Sequence, residues 1–428
     1  MLAAPASGAG KTLLTLAITR ALCDAGQTVR AAKAGPDYID PTFHAIATGR
    51  SSSNLDGWAM RPDLVRALAT GAERLVVEGA MGLFDGPGDG SGSAASLAAM
   101  LELPVVLILD ASRCGQSLGP VLRGFATHDR TVRIAGVLVN RVASDRHARM
   151  VRAGLDPVCD ELGIAPMGMV PRDAALALPE RHLGLVPASE QHEIEAFIER
   201  AATVVRDSCD MDALAELERG TPCEAIPPVP LPPLGQRIAV ARDRAFAFAY
   251  PHLLEGWQRA GASVQPFSPL GDEGPDAQCD AVFLPGGYPE LHAGRLAEAG
   301  TFRTGMEKAV ARGAWVYGEC GGYMSLGEVL TDAEGVHHAM LGLLPVETSF
   351  AERRLHLGYR HATSLVATPF GDRGTALAAH EFHHSSIVKE DGAARLFRAA
   401  DAEGRELRDV GLARGRVFGS YLHLVDRR

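Results

Sequence analysis

The chain has 428 residues, 46% hydrophobic and 22% charged, with a net charge of -10 at neutral pH; this length and composition suit an ordinary globular protein of two or three domains. The acidic balance argues against nucleic acid as a partner, and the absence of a membrane-length apolar run or a basic-then-apolar leader points to a cytoplasmic protein with no membrane partner. Its seven cysteines include no Cys-x-x-Cys pair, so neither a zinc knuckle nor a disulfide framework is signalled.

Met1 to Ala4 is a short apolar stub that runs into Pro5-Ala6-Ser7-Gly8-Ala9-Gly10-Lys11-Thr12. This reads as a phosphate loop in which Pro5 replaces the usual first glycine. Ser7, Gly8, Ala9, Gly10, Lys11 and Thr12 are the ATP-binding candidates: backbone N–H groups cradle phosphate, Lys11 reaches the terminal phosphates, and the Thr12 hydroxyl ligates Mg²⁺. Leu13 to Leu22 follow as an amphipathic helix. Val29 to Ala32 reads as a second strand, ending in Lys33-Ala34-Gly35-Pro36-Asp37-Tyr38-Ile39-Asp40-Pro41. Two carboxylates and a lysine on a rigid loop after a strand sit where open α/β sheets place ligands, although an Asp-rich turn reads the same way. A third strand, Leu75 to Glu78, ends in an acid where phosphate-loop enzymes hold Mg²⁺. The run Gly86 to Ser93 is expected to be a flexible active-site loop.

Two continuous apolar strands, 104–110 and 134–141, each end in polar residues, as buried parallel strands do. Asn140 is either a base-reading residue of a nucleotide fold or a turn former. Helical patterns alternate with these strands, so residues 1–205 read as an α/β domain with a doubly wound parallel sheet. The polar-rich stretch Leu178 to Leu185 is expected near the substrate. The proline-rich segment 206–236, which includes an acidic helical stretch, reads as a linker before a second domain at 237–428.

In that second domain, Arg237 to Arg242 opens a further strand pattern, and Ala281 to Leu284 is a strand followed by Pro285-Gly286-Gly287. The N–H groups of Gly286 and Gly287 are suited to a developing oxyanion. Trp315 to Tyr317 leads into Gly318-Glu319-Cys320-Gly321-Gly322, which presents a thiol at a strand end, and Leu326 reads as the start of a helix. A helix N-terminus there would favour the thiolate. The strand 417–424 presents His423 near its end. Taken together these stretches read as a cysteine nucleophile with base and oxyanion donors. His380-Glu381-Phe382-His383-His384 matches a zinc pattern, but that chemistry needs a helix, and the flanks read as loop and strand.

On Ala3 to Thr12, Lys33 to Pro41, Val77 to Gly86, Leu178 to Leu185, Leu284 to Glu290, Tyr317 to Met324, Ala379 to His384 and Phe418 to His423, the chain resembles the a,c-diamide synthases of cobalamin biosynthesis from end to end. Its likeness is greater to the hydrogenobyrinic acid branch than to the neighbouring cobyrinic acid branch. The resemblance implies a dethiobiotin-synthetase-like P-loop domain followed by a class I glutamine amidotransferase-like α/β domain. It implies ATP and Mg²⁺ as cofactors, hydrogenobyrinic acid and glutamine as substrates, and by analogy a homodimer. Cys320 would then be the glutaminase nucleophile and His423 its base, with Gly286 and Gly287 near the oxyanion. Lys11, Thr12, Glu78 and Asp37 would serve ATP and metal, with Thr12, Asp37 and Glu78 as metal ligands. Lys33 would stabilise the transferred phosphoryl group, while Asp37, Tyr38 and Asp40 would face the corrin. Two departures stand out: Val425 replaces the glutamate that class I amidotransferases carry two residues after the histidine, and Ala6 replaces the signature lysine of partition ATPases. The alternatives are a P-loop nucleotide switch with a degenerate second domain, or cobyric acid synthase, which shares both halves.

Overall fold

The computed structural model describes residues 1–176, 193–217 and 225–428, together with the backbone of 180–181 and 184–185. Half of the 178–185 stretch, Leu178, Pro179, His182 and Leu183, therefore lies outside the described residues. The chain divides into two compact units, Met1–Trp58 with Pro62–Pro227, and Ala59–Arg61 with Pro228–Arg428. The division falls inside the proline-rich segment, but residues 206–216 belong to the first unit. Helix Ile194–Ser208 ends there, and a second helix, Met211–Glu216, follows with Asp210 accepting the Ala213 N–H at 2.9 Å. Leu214 of that short helix is buried in the first unit's core.

The first unit is built on seven parallel strands: β1 (Leu2–Ala3), β2 (Val29–Ala34), β3 (Ser53–Leu55), β4 (Arg74–Glu78), β5 (Val105–Asp110), β6 (Ile134–Val142) and β7 (Ala165–Pro171). Their order across the sheet is β3-β2-β4-β1-β5-β6-β7. The short β1 is central, paired with both β4 and β5, so two residues suffice where both neighbours satisfy the backbone. Val106, Leu107, Ile108 and Leu138 are fully buried, which is why these strands read as unbroken apolar runs. Helix α1 (Lys11–Asp24) buries Leu14, Ile18 and Leu22 in the same core as Val106, Ile108, Ala201 and Val205. Helix α2 (Asp40–Thr48) follows the loop after β2. Because the strands are parallel, the loops after β1, β2 and β4 all emerge from one edge of the sheet, with Lys33 in register with Glu78.

The second unit carries a ten-stranded mixed sheet. Five strands are parallel: Ser263–Phe267, Arg237–Ala241, Ala281–Leu284, Trp315–Glu319 and Val417–Ser420. The other five, Val410–Arg414, Ala394–Ala400, His356–Ser364, Ala376–His383 and Leu422–Arg427, continue it antiparallel. The expected strand 417–424 is two strands that break at Tyr421, and the second pairs with Ala376–His383 at the far end of the order. That break turns the chain so that His423 lies early in a new strand, opposite His380. A helix after Cys320 is present but runs over Gly321–Leu326, ending where the sequence pattern places its start; Val329 already begins another strand.

Candidate functional site

Helix α1 has no side-chain cap, and Gly10 sits before it in the left-handed region with φ 91°. A Cβ at Gly10 would lie 2.2 Å from the Asn140 side-chain nitrogen, so both the backbone angle and the space demand glycine. The carbonyl oxygens of Gly8 and Ala9 are taken: Asn140 Nδ2 donates to Ala9 at 2.9 Å and the Arg141 guanidinium to Gly8 at 2.8 Å. With its carbonyls braced from the end of β6, the loop leaves its N–H groups for a bound anion. Asn140, 2% exposed, braces the loop through this bond. Ser7, Gly8, Gly10, Lys11 and Thr12 share one cleft with Lys33, Asp37, Asp40 and Glu78, while Ala9 is buried beside it. Lys11 donates to the carbonyls of Ala6 and Met81 at 3.1 and 2.5 Å. Burial, with Lys33 nearby, lowers its pKa.

Glu78 is the hub of this cleft. Its Oε1 accepts from the Thr12 hydroxyl and from Lys33 Nζ, both at 2.7 Å, and its Oε2 accepts from His44 Nε2 at 2.7 Å. Lys33 also meets Asp40 at 2.5 Å, and Thr12 Oγ1 lies 3.5 Å from the same Asp40 oxygen. Burial would raise the Glu78 pKa, but the charge of Lys33 and the hydrogen bond from His44 outweigh it and hold the carboxylate ionised. Burial works against Lys33 too, and the Asp40 and Glu78 charges overcome it. Asp40 is pushed up, first by burial and then by Asp37. Asp37 Oδ1 accepts the N–H groups of Ile39 and Asp40 at 2.7 and 2.8 Å, a turn that leads the chain into α2. The carboxylate beside Thr12 and Glu78 is thus that of Asp40. Tyr38 is half-buried on the same loop. Thr12, Glu78 and Asp40 together offer only oxygen donors, which fits Mg²⁺, and the Lys33 ammonium sits among the same oxygens as a cationic stand-in. His44 was not singled out in the sequence; its position four residues after Asp40, on one helix face, is the only signal.

In the second unit Cys320 has φ 46° and ψ -105°, a strained turn that lifts the side chain from the end of its strand. A Cβ at Gly286 would lie 2.5 Å from His423 Cε1 and 3.3 Å from Cys320 Cβ. Glycine, thiol and imidazole therefore meet at one point, and a side chain at 286 would fill it. The backbone nitrogen of Gly287 is 3.0 Å from where a Cβ at Gly321 would stand, which brings two N–H groups beside the nucleophile. The expectation of a resting thiolate is not met. Burial, then the charge of Glu290, pushes the Cys320 pKa far up, and the Gly321 N–H acts against this without winning. The thiol instead donates to the Phe382 carbonyl at 3.9 Å. Nucleophilicity must come from proton removal at the moment of attack, and His423, 1% exposed, is at hand.

The 380–384 stretch is strand Ala376–His383 plus one residue, not helix. Among the described residues, His356, Glu381 and His383 form a group whose ligand-type atoms lie within 4.8 Å of one another. The two imidazoles stack at 4.6 Å and 8°, so their ring planes are parallel. Arg360 holds the second Glu381 oxygen at 2.8 Å, a positive charge where a cation would bind.

A model of the CobQ/CobB/MinD/ParA nucleotide binding domain matches residues 1–186, and one of the CobB/CobQ-like glutamine amidotransferase domain matches 237–427. The chain is 54% identical to the hydrogenobyrinate a,c-diamide synthase of Brucella anthropi, covering 100% of this chain and 98% of that protein. It is 51% identical to those of Rhizobium meliloti and Rhodobacter capsulatus, covering 100% and 99% of this chain and 98% of each relative. Among the described residues no helix is long and apolar enough to cross a membrane.

Proposed function

The chain belongs to the hydrogenobyrinate a,c-diamide synthase family, and on that premise we propose that it amidates the a and c carboxylates of hydrogenobyrinic acid, using ATP to activate each carboxylate and glutamine as the nitrogen donor. The observation that carries this reading is the meeting of Cys320, Gly286 and His423 at a strained strand end, in a chain that also holds a braced phosphate loop.

A carboxylate does not accept ammonia directly, because its oxygen is a poor leaving group and its charge shields the carbon. Phosphoryl transfer from ATP converts that oxygen into phosphate, and Mg²⁺ neutralises charge on the group in transit. The N–H groups of the loop from Ser7 to Lys11 hold the nucleotide's phosphates, and the Lys11 ammonium leaves its two carbonyl partners for the terminal phosphates. Thr12, Glu78 and Asp40 supply oxygens to the ion, and His44 keeps Glu78 ionised and oriented. Lys33, which bridges the same two carboxylates, would be available to the transferred phosphoryl group if Thr12, Glu78 and Asp40 held an ion. Asp37 and Tyr38, on the loop that leads into α2, face the corrin.

At the other centre, His423 takes the Cys320 S–H proton as sulfur bonds to the side-chain carbonyl carbon of glutamine. Gly287 and Gly321 N–H groups receive the negative oxygen. The C–N bond breaks as the imidazolium returns that proton to nitrogen, releasing ammonia and leaving a thioester. Water hydrolyses the thioester to glutamate and restores the thiol. The ammonia displaces phosphate from the activated carboxyl, and the cycle runs twice per corrinoid.

The test is mass spectrometry of corrinoid products from hydrogenobyrinic acid, Mg·ATP and either glutamine or ammonium. The parent protein should give a diamide from either source, and Cys320→Ala from ammonium alone. Full glutamine-dependent activity in Cys320→Ala would remove the thiol from the mechanism. No mass change under any condition would overturn the reading, and four added amides would point to cobyric acid synthase. Cobyrinic acid in a parallel reaction ranks the two candidate corrinoids.

A further inference from the structure

We infer that Glu319, the residue immediately before the nucleophile, is the positioning carboxylate of the glutaminase centre, fixing the tautomer of His423 and facing the positive charge its imidazole carries during hydrolysis. This rests on the reading of Cys320 and His423 as nucleophile and base.

Residues two apart on a strand share a face, so the residues of His423's own strand on its side are Val425 and Arg427. Neither is an acid, and His423's strand supplies no carboxylate there. Glu319 reaches in from the strand Trp315–Glu319, at the same end of the sheet as the thiol. Its side chain is 1% exposed, and its Oε2 lies 3.7 Å from His423 Nδ1. Its Oε1 accepts two hydrogen bonds, from the Tyr317 hydroxyl at 2.7 Å and from the Leu424 N–H at 2.9 Å. Both anchors fall on one oxygen, which fixes the carboxylate plane and keeps the other oxygen toward the imidazole. A separation of 3.7 Å is too long for a hydrogen bond but within ion-pair range, and catalytic contacts commonly tighten when substrate binds.

The other charged and titratable groups around this centre do not substitute for it. His380, opposite His423 across the antiparallel pair, is held neutral by burial down to about 3. Glu290 and Glu381, like Glu319 itself, act on Cys320, where they oppose thiolate formation, and Glu319 in addition stands 3.7 Å from His423 Nδ1. With Nδ1–H directed at Glu319, the Nε2 lone pair is left for the thiol proton. Glu319 takes no proton itself; the proton from Cys320 passes through Nε2 to the departing ammonia.

Glu319→Gln separates this role from simple support. Glutamine's oxygen can still accept from Tyr317 and Leu424, while an NH₂ group replaces Oε2 and favours a lone pair on Nδ1, moving the proton to Nε2. We expect kcat for glutamine hydrolysis to fall roughly 10²–10⁴-fold with KM within about threefold, and Glu319→Asp to recover part of it. Loss of the anion should also move the acidic limb of kcat/KM to lower pH. In the parent protein, ¹⁵N NMR of His423 should find the proton on Nδ1, a measurement that needs no variant to fold. An Nε2–H imidazole in the parent, or a Glu319→Gln protein with unchanged kcat and acidic limb, overturns the inference alone. A parent protein that hydrolyses no glutamine brings down this inference together with the functional reading beneath it.

Discussion

Replacing Lys33 by methionine tests whether one ammonium neutralises the carboxylates of the nucleotide cleft. In the parent its Nζ lies 2.5 Å from Asp40 and 2.7 Å from Glu78, with all three side chains nearly or fully buried. Removing one partner of a buried ion pair costs about 3–5 kcal/mol, because the remaining charge is left uncompensated. Here the lower end applies. Glu78 keeps its hydrogen bonds from His44 and Thr12, and Asp40, already pushed up by burial and Asp37, can take a proton. For a unit of roughly 200 residues, about 3 kcal/mol corresponds to a Tm lower by roughly 6–12 °C. Scanning calorimetry of the full chain at pH 7 measures this, with the first unit's transition identified as the one that ATP moves. Mg²⁺ should raise that transition more in Lys33→Met than in the parent, because the lysine no longer competes for the same oxygens. A fall below about 2 °C, with the same Mg²⁺ response in both proteins, would refute the reasoning.

Gly286→Ala should abolish glutamine-driven amidation and keep ammonium-driven amidation, since its Cβ would stand 2.5 Å from His423 Cε1. Overpacking of this kind costs about 1–3 kcal/mol, so the second unit should stay folded by circular dichroism. Stability should also fall on the acid side. Burial holds His252 down to about 4 and His380 to about 3, against 6.5 for a free imidazole. Between about pH 6.5 and those values the unfolded chain binds more protons than the folded one, so stability drops as pH falls through that window. His252 alone accounts for about 3 kcal/mol by pH 4. Urea midpoints from pH 7 to pH 4 follow this loss, and it should shrink in His252→Gln, whose amide can still donate to the Val425 carbonyl that His252 Nε2 meets at 2.9 Å. An equal loss in both proteins would assign it to other groups.

Contiguous features were legible without coordinates. The phosphate loop, the glycine-flanked cysteine and the acid closing Leu75 to Glu78 each depend on local spacing at a strand end, and a parallel sheet places such ends together. The helix after Cys320 was expected from the same stretch, though shifted by several residues, because six buried residues with no polar face carry no helical period to mark its bounds. What no local pattern contained were the pairings made across the sheet. Asn140 and Arg141 brace the loop because β6 lies two places from β1, and Asp40, at the start of α2, comes within 3.5 Å of the Thr12 hydroxyl while Asp37 Oδ1 holds the turn before that helix. Glu319 stands next to His423 although 104 positions separate them in sequence, because the strand break at Tyr421 turns the histidine back toward the nucleophile's strand. The resting protonation of Cys320 was equally a tertiary property. Its short helix favours the thiolate, but removal from water and the nearby Glu290 favour the thiol more strongly, and burial is set only when distant strands close over the site.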